Sequence, residues 1–137
     1  MPNYKAQFMA HLDQKGVKYT DRDKDTVRIV YTGDQMKEIA VNVIFDEDGD
    51  NLVAFRSWSL GNVKEDKYAR LLLLCNELNC KYRWVKFSID KDRDICVAID
   101  AVVDIETVGP ECLQLVGRIV NISDEAYNSV MGALWGN

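Results

Sequence analysis

Alternation of polar and apolar side chains constrains this chain more than any other feature. Thr26 to Thr32 places Val27, Ile29 and Tyr31 on one side, and Glu38 to Phe45 places Ile39, Val41, Val43 and Phe45 on one side. A period of two is that of a strand with one buried face. Leu52 to Leu60 follows across the turn Asp46-Glu47-Asp48-Gly49-Asp50-Asn51, and two strands flanking a polar, glycine-containing turn form an antiparallel hairpin. Gly33 and Asp34 mark a further turn between Thr32 and Glu38, and Val17 to Tyr19 is a short extended candidate. The middle of the chain therefore reads as a meander of three or four strands.

The flanks change to helical spacing. In Asn3 to Lys15, Tyr4, Phe8 and Leu12 lie one turn apart, and Gly16 stops the helix because glycine enters the left-handed conformation without strain. Asn62 to Asn79 forms a second helix, with Asn62 as cap and Glu65 completing a capping box. Tyr68, Leu71, Leu72, Cys75 and Leu78 form its core stripe, and Leu73 and Leu74 widen that stripe until the helix must be covered on more than one side. Either the domain wraps it or a partner does, and in the second case Leu73 and Leu74 are the candidate seam of a homodimer. Two more strands, Tyr82 to Asp90 and Asp94 to Asp104, flank the turn Lys91-Asp92-Arg93. A helix follows from Pro110 through Cys112, Leu115, Val116 and Ile119, and Ser123 then caps a last helix carrying Tyr127, Val130, Met131 and Leu134. The element order gives an α+β fold, an antiparallel sheet with helices packed on it.

With 137 residues, 47% of them hydrophobic, the chain can bury a core as a single domain over residues 1–137 without disulfides or metals. Its net charge of −5 sets it against phosphate backbones and anionic membrane surfaces, so neither nucleic acid nor membrane is an expected partner. The longest apolar run, Leu71 to Cys75, falls far short of the ~18 residues that span a bilayer. The start Met1-Pro2-Asn3-Tyr4-Lys5 shows no secretory signal, so the expected location is the cytoplasm, with Cys75, Cys80, Cys96 and Cys112 as buried free thiols.

Catalytic and cofactor signals are sparse. His11 is the one histidine, no pair of cysteines forms a CxxC spacing, and no glycine-rich phosphate loop is present. Neither cofactor nor metal is expected. Asp46, Asp48 and Asp50 alternate, as do Asp90, Asp92 and Asp94, but both sets lie at hairpin tips where turn geometry alone favours Asp. The aromatic residues carry the functional expectation. Tyr82 and Trp84 sit opposite the Val85, Phe87 and Ile89 face, and Trp58 shares a face with Arg56. Exposed Trp and Tyr beside Arg are what binding surfaces use. Arg56, Trp58, Tyr82 and Trp84 are therefore the candidate partner-binding residues.

The stretch Leu71-Leu72-Leu73-Leu74-Cys75-Asn76-Glu77-Leu78-Asn79, continuing Cys80-Lys81-Tyr82-Arg83-Trp84-Val85-Lys86-Phe87-Ser88-Ile89-Asp90 and then Val97-Ala98-Ile99-Asp100-Ala101, resembles the bacterial YbjN family. That pattern is a helix ending in Asn-x-x-Asn, a strand with a Lys-Phe-like pair, an acidic turn and a second apolar strand. Asn76, Asn79, Lys86 and Phe87 match it. The resemblance implies a twisted antiparallel β-sheet with helices packed against it, like that of type III secretion chaperones. It also implies a regulatory or sensory-transduction role, and it brings no catalytic residue. For the Asn pair the expected role is to bond backbone groups in the turn into the next strand.

Together these readings describe a non-catalytic regulatory or chaperone-like module that binds a protein partner. The alternative is a small-molecule or metal-binding sensor with a pocket between sheet and helices. A third reading, an enzyme working through carboxylates alone, would use Asp100 and Asp104.

Overall fold

The computed structural model of the chain describes residues 3–46, 48 and 51–136. Helix α1 runs Tyr4–Lys15, and strands β1 Thr20–Asp21, β2 Thr26–Tyr31, β3 Ile39–Phe45 and β4 Leu52–Ser57 follow. Helix α2 spans Tyr68–Lys81, β5 and β6 span Lys86–Ile89 and Ile95–Val102, and α3 spans Val108–Trp135. All strand pairs are antiparallel, in the order β1-β2-β3-β4-β6-β5.

Register explains the layering. Val27, Val43, Phe55 and Ile99 face one another across four strands, and all are buried. Ile29, Val41, Val53, Phe87 and Val97 lie on the same side. The helices cover this side alone, packing Phe8 and Leu12 of α1, Leu71 and Leu78 of α2, and Cys112, Val116 and Ile119 of α3 into one core. Alternation along each strand sends the remaining residues to a face that no helix among the described residues covers.

Helix α1 is closed as its sequence requires. The Asn3 side chain accepts from the Ala6 N–H at 2.9 Å, and Gly16 takes φ 71 at the other end. The Val17 N–H then returns to the Leu12 carbonyl at 2.9 Å.

Four segments depart from the sequence expectation. First, Asn62 does not cap α2. Its amide donates to the Asp92 carbonyl and to Asp94, while Glu65 pairs with Arg93 at 2.8 Å, and a short 3-10 turn over Glu65–Lys67 leads into the helix instead. Second, β5 starts at Lys86 rather than Tyr82. The Val85 N–H bonds the Arg83 carbonyl at 2.7 Å, and Trp84 between them takes φ 67, a strained conformation for a bulky side chain. That tight turn breaks the alternation, so Tyr82 packs towards Phe87 with ring centroids 6.3 Å apart. Third, α3 is one continuous helix of 28 residues, about 42 Å long at ~1.5 Å per residue. Ser123 is fully buried within it and caps nothing. Fourth, Val17 to Tyr19 precedes the strand β1 rather than forming it.

Asp124, beside Ser123, does the work of a cap for another element. Its carboxylate accepts from the backbone N–H groups of Asp34, Gln35 and Met36 at 2.9, 2.8 and 2.8 Å, tying the β2–β3 link to the middle of α3. The bond from Met36, with those from Gln35 and Asp34, holds this carboxyl below the ordinary carboxylate range.

The outer edge of β5 is closed by a side chain. The Asn79 amide donates to the Phe87 carbonyl at 3.0 Å and accepts from the Phe87 N–H at 2.6 Å, pairing the backbone as a neighbouring strand would. This matches the backbone-bonding role expected of Asn79. Replacing Asn79 with alanine should lower stability by about 1–2 kcal/mol and speed hydrogen exchange at the Phe87 amide. Unchanged protection of that amide would mean that some other group closes the edge.

Candidate functional site

The face without helices follows from the register. Arg28, Asn42, Arg56, Ala98 and Lys86 form one row across the strands, and Ile44, Ala54 and Asp100 form the next. Val30, Leu52 and Val102 are exposed large apolar residues on the same face.

Two of the four candidate binding residues belong here. Trp58 lies just past the end of β4 and is 41% exposed. Arg56 is half-buried and committed. It pairs with Asp100 at 2.8 Å and donates to the Phe55 and Ile99 carbonyls. The other two lie on the helix side. Trp84 is 59% exposed, with the Arg118 guanidinium of α3 4.7 Å from its ring centre. The Tyr82 hydroxyl has its acidity weakened by burial first, then by the Glu125 carboxylate of α3. The four residues thus form two separate pairs.

On α2, Leu71, Cys75 and Leu78 are buried, Leu74 is half-buried, and Leu73 is 69% exposed with Leu72 beside it. The fold does not wrap this helix on a second side.

Two shallow depressions mark the open face. One, of about 620 Å³, is lined by Thr20, Arg22, Arg28, Ala40, Asn42, Trp58 and Ser59. The other, of about 400 Å³, is lined by residues that include Ile44, Leu52, Ala54 and Asp100. The space between sheet and helices, where the sensor reading places a pocket, is filled by Phe8, Leu12, Ile29 and Phe55. Arg22, Arg28 and Asn42 were not legible as a group, since β1, β2 and β3 must be paired before they meet. The one available signal was that Arg28 alternates with Val27 and Ile29.

The acidic residues are spent locally. Asp90 accepts from the N–H groups of Asp92 and Asp94 at 2.9 and 3.0 Å, and Asp46 accepts from that of Asp48 at 3.0 Å. Asp50 lies outside the described residues. Asp104 falls beyond β6, accepting from the Glu106 N–H at 2.9 Å, so it does not share a strand with Asp100. Among the described residues no group of three His, Cys, Asp or Glu side chains could hold a metal ion. Lone His11 packs against Gly109 at the start of α3, where an added Cβ would come within 2.6 Å of its own.

All four cysteines are free. Cys75, Cys96 and Cys112 are buried, and burial pushes the Cys112 thiol up to about 12. Cys80 is exposed, contrary to expectation, because it falls on the outer side of α2. Among the described residues no helix is long and apolar enough to cross a membrane.

An antiparallel sheet with helices on one face is an α+β architecture, and it recurs in solved structures. YbjN from E. coli, described as "a putative transcription regulator", superposes with a TM-score of 0.66 at 14% identity, covering 94% of this chain and 95% of that one. A chain of the heterodimeric ExoU–SpcU complex from the type III secretion system of Pseudomonas aeruginosa gives 0.59 at 15% identity, covering 93% and 98%. A chain of the HopA1–SchA chaperone–effector complex gives 0.53 at 12% identity, covering 85% and 89%. No curated protein matches in sequence. The family model described as "YbjN: Putative bacterial sensory transduction regulator" matches residues 5–128, and the chain belongs to that family.

Proposed function

We propose that this chain is a non-catalytic regulatory or chaperone-like module that docks a segment of a partner protein on the open face of its sheet. The observation that carries the reading is the one-sided placement of all three helices, which leaves Trp58, Val30, Leu52 and Val102 exposed on the other side. Exposed aromatic and apolar residues gathered on one surface are the usual mark of an interaction site. The family description and the chaperone–effector complex among the structural neighbours support the same reading. The free thiols are in keeping with action in the cytoplasm, where cysteines stay reduced.

A tagged pull-down comparing Trp58→Ala with Trp84→Ala tests it. One protein recovered near equal stoichiometry should be lost from Trp58→Ala and kept by Trp84→Ala, with both variants melting like the parent. The reverse pattern would move the site to the Trp84–Arg118 patch, and retention by both would remove the open face from consideration.

The bare outer side of α2 supports a second element, a homodimer seam at Leu73 with the exposed Leu72 beside it, whereas Leu74 packs on the core of its own chain. Leu73→Glu should then convert a dimer into a folded monomer in sedimentation equilibrium. A parent chain that is already monomeric ends that part of the proposal.

A further inference from the structure

The larger depression on the open face offers donors in excess. Arg22 gives one guanidinium N–H to Asn42 Oδ1 at 3.0 Å, and that bond leaves the Asn42 amide N–H groups pointing elsewhere. The Ser59 hydroxyl oxygen already accepts from the Ala40 N–H at 2.9 Å, so its own O–H remains to donate. Among the described residues neither Arg22 nor Arg28 has a carboxylate partner. Among the described residues no acidic side chain lines this depression, although the chain as a whole carries −5. A wall of donors facing the ring of Trp58 suits an anion attached to an apolar body.

The neighbouring depression sets the second requirement. Ile44, Leu52 and Ala54 make it mainly apolar, with Asp46 and Asp100 also in its lining and Asp100 paired with Arg56. Arg28 lies opposite Asn42 and Arg22 bonds it, and Asn42 and Ile44 share the open face of β3 two residues apart, or about 7 Å at ~3.3 Å per residue. An extended peptide has the same rise and the same two-residue alternation. Its side chains i and i+2 therefore reach both depressions at once.

Resting on the docking reading above, we propose that the open face takes an extended partner segment with an Asp or Glu over Arg22 and Arg28 and an apolar side chain two residues away against Ile44, Leu52 and Ala54. The overall negative charge does not prevent this. At physiological salt charges are screened beyond about 8 Å, whereas the two guanidinium groups contact the carboxylate directly.

The test uses the full chain and a fluorescein-labelled peptide Gly-Ser-Asp-Ser-Leu-Ser-Thr-Ser-Gly, read by fluorescence anisotropy. Asn in place of the peptide Asp should weaken binding about tenfold, and so should the Arg22→Gln/Arg28→Gln pair of changes in the protein. Ser in place of the peptide Leu should also weaken it. Trp84→Ala should leave it unchanged. Equal binding of the Asp and Asn peptides, or no binding of either, overturns the proposal. Inorganic phosphate that matches the peptide in affinity would overturn it too, in favour of a free-anion site. A partner still lost from Trp58→Ala in the pull-down but kept by Arg22→Gln/Arg28→Gln would leave the docking reading standing while this refinement falls.

Discussion

Phe55→Ala should destabilise this protein by about 3–5 kcal/mol, a large share of the ~5–15 kcal/mol that holds an ordinary domain folded. Phe55 is fully buried on β4, which pairs on both sides, and it lies between Val43 of β3 and Ile99 of β6. Removing the ring forfeits its transfer free energy and leaves a cavity that two paired strands cannot close. Urea unfolding should show a lower midpoint with an unchanged slope. Phe55→Leu, which retains most of the volume, should cost far less. If the two substitutions cost the same, the loss comes from the strand and not from the cavity.

Gly33→Ala should cost about 1–3 kcal/mol, the usual range for overpacking, although it adds only one methyl to an exposed link. A Cβ at this position would lie 2.3 Å from Asp124 Oδ1. That oxygen cannot yield, because the carboxylate is held by three backbone N–H groups. Removing the carboxylate in an Asp124→Ala background removes the collision, so Gly33→Ala should cost much less there. Additive effects in that double-mutant cycle would show that the collision is not the cause.

The same contact gives an acid limb. The Asp124 carboxyl titrates below its ordinary value near 3.8 when folded. Its contribution is therefore complete above that pH and is lost as pH falls through the lower folded value. The stability gap between the parent and Asp124→Asn should hold steady at neutral pH and narrow below about pH 4. A gap that stays constant down to pH 2 would assign the effect to packing.

Much of this fold was legible because local and global signals agree. Asn3 and Gly16 bound α1 as caps should, and the alternation in β2 and β3 placed the buried side correctly. The failures have a common cause. Ser123, Asp124, Asn62 and Glu65 are good capping residues by type, but Ser123 is buried inside α3 without a partner among the described residues, and the other three bond groups distant in sequence. A carboxylate that reaches across to residues 34–36 leaves no mark on its own neighbours in the chain. Trp84 misled for the opposite reason. Nothing in its residue type announces a left-handed backbone, so strand alternation alone predicts the wrong side of the sheet for Tyr82. The candidate site suffered most, since it depends on which strands pair. Trp58 could be singled out as an aromatic, whereas Arg22 and Arg28 became neighbours only through the β1–β2–β3 register.

The sealing of β5 by Asn79 has a bearing on how this protein behaves when crowded. Sheets grow into fibrils by adding strands to unpaired rims, and here one rim is stoppered by an amide that no incoming chain can extend. The opposite rim is guarded by the two residues of β1, which cover Arg28 and Val27, and by Arg22, which bonds the Thr26 carbonyl, but this pairing stops short of Ile29, Val30 and Tyr31. Fibril growth from the folded protein would therefore start at the far end of β2. A lysine at Val30 would be the place to blunt it.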